Sequence, residues 1–149
     1  MRKTPARVCN WNGWSDWASF DSLDFKRVSV GSGAYVIVAN SALRRVVGTD
    51  TEGILHVGEA TKLRERIRCF LRCAGSSNAS ITGHMAGWRF SYLKMASVFP
   101  LQRLRVRWKA TATKEDAYSL EGDILRRYSA IHFELPPLNY KFNWSHLTD

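Results

Sequence analysis

A chain of 149 residues suits one domain with one core, and a hydrophobic fraction of 45% is too high for general disorder. Lysine and arginine total 22 against 13 acidic residues, giving a net charge of +9 and a pI near 9.9; such an excess favours a polyanionic partner, nucleic acid above all, over a merely solubilising basic surface. No apolar run approaches the ~20 residues that span a bilayer, and the charged start (Arg2, Lys3, Arg7) has no apolar segment behind it, so the expectation is a cytoplasmic protein without a membrane partner.

Residues 1–30 stand apart as a tryptophan-rich segment. Trp11, Trp14 and Trp17 recur every third residue with Phe20 next in step, a helical spacing that predicts an apolar face packed on the domain rather than a platform for bases. Residues 34–39 (AYVIVA) are β-branched and apolar, as in a buried strand. Residues 40–53 look like a long hairpin connection, and residues 54–57 (ILHV) like a second strand, antiparallel to the first and ended by Gly58. A helix opens at Ala60 or Thr61 and runs to about Cys73. A loop follows over 74–83, then a second helical segment around 84–95, a strand over 104–108 and a helix over 114–132 with Thr113 as its N-cap. A proline-stiffened tail, ELPPLNYKFNW, closes the chain. Gly58 lacks the GxGxxG pattern of a dinucleotide loop, so no small-molecule cofactor is expected. Cys9, Cys69 and Cys73 form no zinc-like array and are expected as reduced thiols.

Two helices carry chemistry. On a wheel of ~100° per residue, Leu63, Ile67, Phe70 and Leu71 form the core face of the first. Arg64, Arg68 and Arg72 step along one flank, and Arg66 lies on the other beside Phe70. Arginines at a core margin serve either as phosphate contacts or as snorkelling and salt-bridging groups. In the 114–132 helix, Ala117, Leu120, Ile124, Leu125, Tyr128 and Ile131 form the apolar arc, and Glu121 falls in its middle. A carboxylate taken out of water costs several kcal/mol unless paired, protonated or metal-bound. Glu121 therefore needs an arginine, a proton or a cation.

These segments together resemble the GIY-YIG nuclease superfamily. GAY (33–35) stands where GIY does and HVG (56–58) where YIG does. Arg66, eight residues after Gly58, is in the place of the catalytic arginine. Glu121 in SLEGDILRRY resembles the metal-binding glutamate, and Asn139 in LPPLN the closing asparagine. GHMAGWRF (83–90) is similar to a His-x-x-Gly stretch of one bacterial branch. The resemblance covers about residues 31–142.

The resemblance implies an α+β domain over residues 31–149, a small three-stranded antiparallel β-sheet flanked by α-helices. It implies metal-dependent hydrolysis of phosphodiester bonds in DNA, with Tyr35, His56, Arg66 and Glu121 catalytic and Glu121 holding Mg²⁺ or Mn²⁺. Lys62, Arg64, Arg68, Arg72, His84, Arg89 and Asn139 would contact the nucleic acid. Three departures stand out: His56 replaces the second tyrosine, Glu59 follows Gly58 where several members have lysine, and Phe70 occupies a position where some carry tyrosine or histidine. His84 would supply the missing polar group if its loop folds over the site. The alternatives are a catalytically impaired nucleic-acid-binding module on the same fold and an RNA-directed nuclease. The oligomeric state is left open.

Overall fold

The computed structural model describes residues 7–76 and 83–143, so part of the 74–83 loop and the last six residues lie outside the described residues. In chain order the elements are β1 (Ala18–Ser19), β2 (Gly33–Val38), β3 (Leu43–Arg44), β4 (Thr49–Asp50), β5 (Ile54–Ala60), α1 (Leu63–Ala74), α2 (Met85–Tyr92), β6 (Arg105–Ala110) and α3 (Lys114–His132).

Every residue of β2 is buried, because its two faces meet two different helical layers. Tyr35 and Ile37 pack with Leu63, Ile67 and Phe70 of α1 and Phe90 of α2. Val36 and Val38 pack on the other face with Ile124, Leu125 and Tyr128 of α3. Each such apolar side chain contributes ~1.5–3 kcal/mol on burial. The class is therefore α+β, with an antiparallel sheet between helices.

That sheet has four strands in the order β1-β6-β2-β5, one more than the three expected. The extra edge strand comes from the tryptophan-rich segment, whose Ala18 and Ser19 pair with Val106 and Arg105. Trp11, Trp14 and Trp17 pack against the cluster formed by β2 and α3, but the described part of the segment forms no α-helix, only a 3-10 turn at Phe25–Arg27. Trp11 meets Trp14 and Trp17 edge-on at 5.1 and 5.4 Å, and the Arg107 guanidinium lies 4.8 Å from Trp11 and 4.4 Å from Trp17. The three-residue spacing thus reflects an irregular strap of indoles laid over the arginines of β6.

The second strand does not stop at Gly58. The ladder pairs Tyr35 with Gly58 and Gly33 with Ala60, so β5 runs two residues past the glycine. The connection at 40–53 holds a short hairpin of its own, β3 with β4. Its end is organised by Asp50, whose carboxylate accepts from the backbone N–H groups of Glu52, Gly53 and Ile54 at 3.0, 3.0 and 2.8 Å.

β5 is the free edge of the sheet, and the tail covers part of it. Leu138 N–H donates to the Leu55 carbonyl at 2.9 Å, while the Asn139 side chain bonds both the N–H and the C=O of Val57 at 2.9 Å. An exposed edge would otherwise invite pairing with another chain. Among the described residues no helix is long and apolar enough to cross a membrane.

Candidate active site

Beyond the covered part of the β5 edge lies a cavity of about 440 Å³. Tyr35 from β2, His56 and Glu59 from β5, Arg66 from α1, Glu121 from α3 and Asn139 from the tail all line it. Four elements and the tail thus converge on one opening.

The alternation of β5 sorts these groups. His56 and Gly58 share one face and Val57 and Glu59 the other. Gly58 is glycine for a steric reason: a Cβ there would overlap the ring and hydroxyl of Tyr35, which is only 1% exposed. The phenol, seated over Gly58, meets two imidazoles: His84 Nε2 at 2.6 Å and His56 Nε2 at 3.3 Å. His84 is also 1% exposed. It caps α2 by accepting at Nδ1 from Gly87 N–H at 3.3 Å, and the edge of its ring meets Phe70 with centroids 5.3 Å apart. His84, the N-cap of α2, thus brings a polar group against Tyr35, with Phe70 as its support.

Loss of water dominates the electrostatics here. Burial lowers His84 to about 2, with His56 and Arg66 adding to the effect. Burial and then Arg66 lower His56 to about 3, against an opposing pull from Asn139. Both imidazoles are therefore neutral at pH 7. Burial pushes the Tyr35 phenol well above its ordinary range, and Arg66 offsets only part of that.

Glu121 is met by an amide and not by a guanidinium. Among the described residues no arginine pairs with it; Asn143 Nδ2 donates to its Oε1 at 3.0 Å. Burial raises its carboxyl to about 7; the Asn143 hydrogen bond opposes the rise and the Glu59 carboxylate adds to it. Burial thus favours the protonated form well above the ordinary carboxylate range. Glu59 Oε2 is buried with no hydrogen-bond partner.

Two carboxylates on one cavity, one with an orphaned oxygen, are a hard-oxygen donor set that fits Mg²⁺ or Mn²⁺. Among the described residues no group of three or more His, Cys, Asp or Glu side chains gathers to hold a metal. An ion there would keep water or phosphate oxygens in its remaining positions, as Mg²⁺ commonly does.

Arg66 holds the floor of the site. Its Nη1 donates to the Gly83 carbonyl at 2.7 Å, immediately before His84. Gly83 sits at φ +114°, a conformation other residues rarely adopt. Arg66 and Glu59 also belong to a larger open groove lined by Lys62, Arg68 and Arg72.

Several expected nucleic-acid contacts are placed otherwise. Arg64 donates to the carbonyls of Val28 and Lys26, both at 3.0 Å, and so ties residues 26–28 to α1. His84 is buried behind Tyr35 and presents no surface to a polymer. Asn139 spends both ends of its amide on Val57. Arg89 lies on α2 and lines neither the cavity nor the groove. Sequence reasoning named Glu59 only as a departure beside Gly58, with no role in the site, and did not find Asn143. The first was legible only once β5 continued past Gly58; the second has no local signal, since it reaches Glu121 from the tail.

No protein-family model, characterised protein or solved structure matches the chain.

Proposed function

We propose that the chain is a divalent-metal-dependent endonuclease that hydrolyses phosphodiester bonds in DNA. The observation that carries this reading is the convergence of Tyr35, His56, Arg66, Glu121 and Asn139 on one cavity, beside a groove lined by Lys62, Arg68 and Arg72. These are residues that the resemblance to GIY-YIG nucleases selects. In that reading β6, β2 and β5 form the three-stranded core, residues 31–149 the nuclease domain, and β1 belongs to an N-terminal strap.

Glu121, with Glu59 beside it, would hold Mg²⁺ or Mn²⁺. When bound, such an ion polarises the scissile phosphate and steadies the leaving oxygen. Arg66 offers a fixed guanidinium to the charge developing on the non-bridging oxygens. Tyr35 and His56 form the wall against which the attacking water is oriented. The groove residues Lys62, Arg68 and Arg72 bind backbone phosphates on the approach to the cavity.

One observation favours a second reading, a binding module with impaired chemistry. The Tyr35 phenol is buried and its pKa is raised, so it is a poor direct base at neutral pH. That reading expects salt-sensitive nucleic-acid binding with no cleavage under any metal.

The test is plasmid nicking with Mg²⁺ or Mn²⁺, alongside matched duplex, flap, single-stranded and RNA substrates. Activity that persists in both Glu121→Ala and Arg66→Ala removes the assigned site. Cleavage of RNA alone makes the protein an RNA-directed nuclease.

A further inference from the structure

The contacts around Tyr35 fix where its protons lie. His84 Nδ1 accepts from Gly87 N–H at 3.3 Å and so cannot carry a hydrogen itself. A neutral ring then bears its hydrogen on Nε2, which lies 2.6 Å from the Tyr35 oxygen and must donate to it. With that contact taken, the hydroxyl hydrogen has one remaining acceptor among the described residues, His56 Nε2 at 3.3 Å. His56 Nε2 therefore accepts, and its own hydrogen is on Nδ1. That nitrogen is buried and, among the described residues, has no hydrogen-bond partner of good geometry, although the Asn139 side chain, already bonded to Val57, lies close enough to the ring to oppose the lowering of its pKa.

We propose that His84 is a positioning residue that sets a one-way hydrogen-bond chain, His84 Nε2–H to Tyr35 O–H to His56 Nε2, leaving His56 with an Nδ1–H that lacks a well-placed acceptor beside the cavity. The role of His56 follows from this direction. It is a neutral donor, suited to a phosphate oxygen or an ordered water, and not a base that takes a proton from the attacking water. A buried N–H without an acceptor costs free energy that a bound oxygen restores. The chain also explains how a buried phenol contributes without ionising: Tyr35 passes the orientation of His84 to His56. The functional half of this inference rests on the nuclease reading; the proton arrangement does not.

The test is long-range ¹H–¹⁵N correlation on the full ¹⁵N-labelled chain at pH 7, which distinguishes protonated from bare ring nitrogens in each of its four histidines. The expected result is opposite tautomers, with hydrogen on Nε2 of His84 and on Nδ1 of His56, and both rings neutral. His84 protonated on Nδ1, His56 protonated on Nε2, or either ring charged overturns the proposal. The variant His84→Asn retains a capping side chain while removing the Nε2 donor, and it is expected to release His56 into a mixture of tautomers. Tyr35→Phe, which removes the middle link without touching the cap, is expected to do the same. A pure Nδ1–H tautomer of His56 in folded samples of either variant overturns the chain. Where cleavage is observed, His84→Asn is expected to lower kcat by about tenfold to a hundredfold with KM unchanged, less than the roughly 10²–10⁴-fold of a direct acid–base group because it acts through His56. A rise in KM at constant kcat overturns the positioning role. If no metal supports cleavage, the nuclease reading fails while the tautomers still decide the chain.

Discussion

Glu121 is an acid placed on the apolar arc of α3, and its environment stabilises the protonated form up to about pH 7. Proton uptake favours the folded state between the ordinary carboxyl value of 4.5 and about 7. The contribution is full below 4.5 and is lost as pH rises through 7. Replacing Glu121 with Gln removes the charge without changing the shape. The metal-free variant is expected to gain roughly 1–3 kcal/mol over the parent at pH 8 and little at pH 5. Thermal melts with chelator at the two pH values check this, and on the nuclease reading the same variant should also lose metal-dependent nicking. Gly58 makes a second case at this scale. Gly58→Ala pushes a methyl group into the Tyr35 ring and is expected to cost roughly 1–3 kcal/mol, with loss of cleavage. Gly31→Ala, where the nearest atom to a new Cβ is Ser29 Oγ at 3.8 Å, is the matched control for melting and nicking assays.

The site depends on how β5 is held, and its two ends are held differently. At its start, one Asp50 carboxylate organises three backbone N–H groups and accepts the Tyr128 hydroxyl at 3.0 Å. Asp50→Ala leaves those donors stranded and is expected to cost roughly 3–5 kcal/mol in denaturant unfolding. Tyr128→Phe removes a single bond from the same carboxylate and should cost only ~1 kcal/mol. Equal losses in the two variants would mean that Asp50 acts through α3 rather than through the strand. At the element scale the order of the main strands and helices was legible, because β2 is a continuous apolar run and α1 and α3 show helical periodicity. Thr113 capped α3 as expected, its hydroxyl accepting from Asp116 N–H at 3.1 Å. The two-residue β1 was not legible, since its pairing with β6 depends on tertiary contact. The end of β5 was misplaced because Gly58 looks like a breaker in sequence. Its missing side chain instead makes room for Tyr35. The grouping of Tyr35, His56, Arg66 and Glu121 was found through the spacing of motifs. The roles of Arg64 and His84 were not, because a guanidinium bonded to loop carbonyls and an imidazole behind a phenol look the same in sequence as surface ligands.

At the scale of the whole molecule, the charge of +9 is distributed between two uses. Some arginines are committed to the fold: Arg64 binds the 26–28 carbonyls, and Arg107 lies over two indoles. Others are exposed along the groove that shares Arg66 and Glu59 with the cavity, among them Lys62, Arg68 and Arg72. Only the second group can release counterions from a bound polymer. Affinity for duplex DNA is therefore expected to fall steeply with salt, and neutralising Lys62, Arg68 or Arg72 to Gln should flatten the log–log slope by about 0.9 for each phosphate no longer neutralised. Arg64→Gln is expected to leave that slope unchanged while lowering the melting temperature, because two loop carbonyls lose their donor. Fluorescence anisotropy across roughly 50–200 mM salt, with parallel melts, separates the two groups. A reduced slope in Arg64→Gln with no loss of stability would put that guanidinium on the polymer and leave the junction between residues 26–28 and α1 without a structural role.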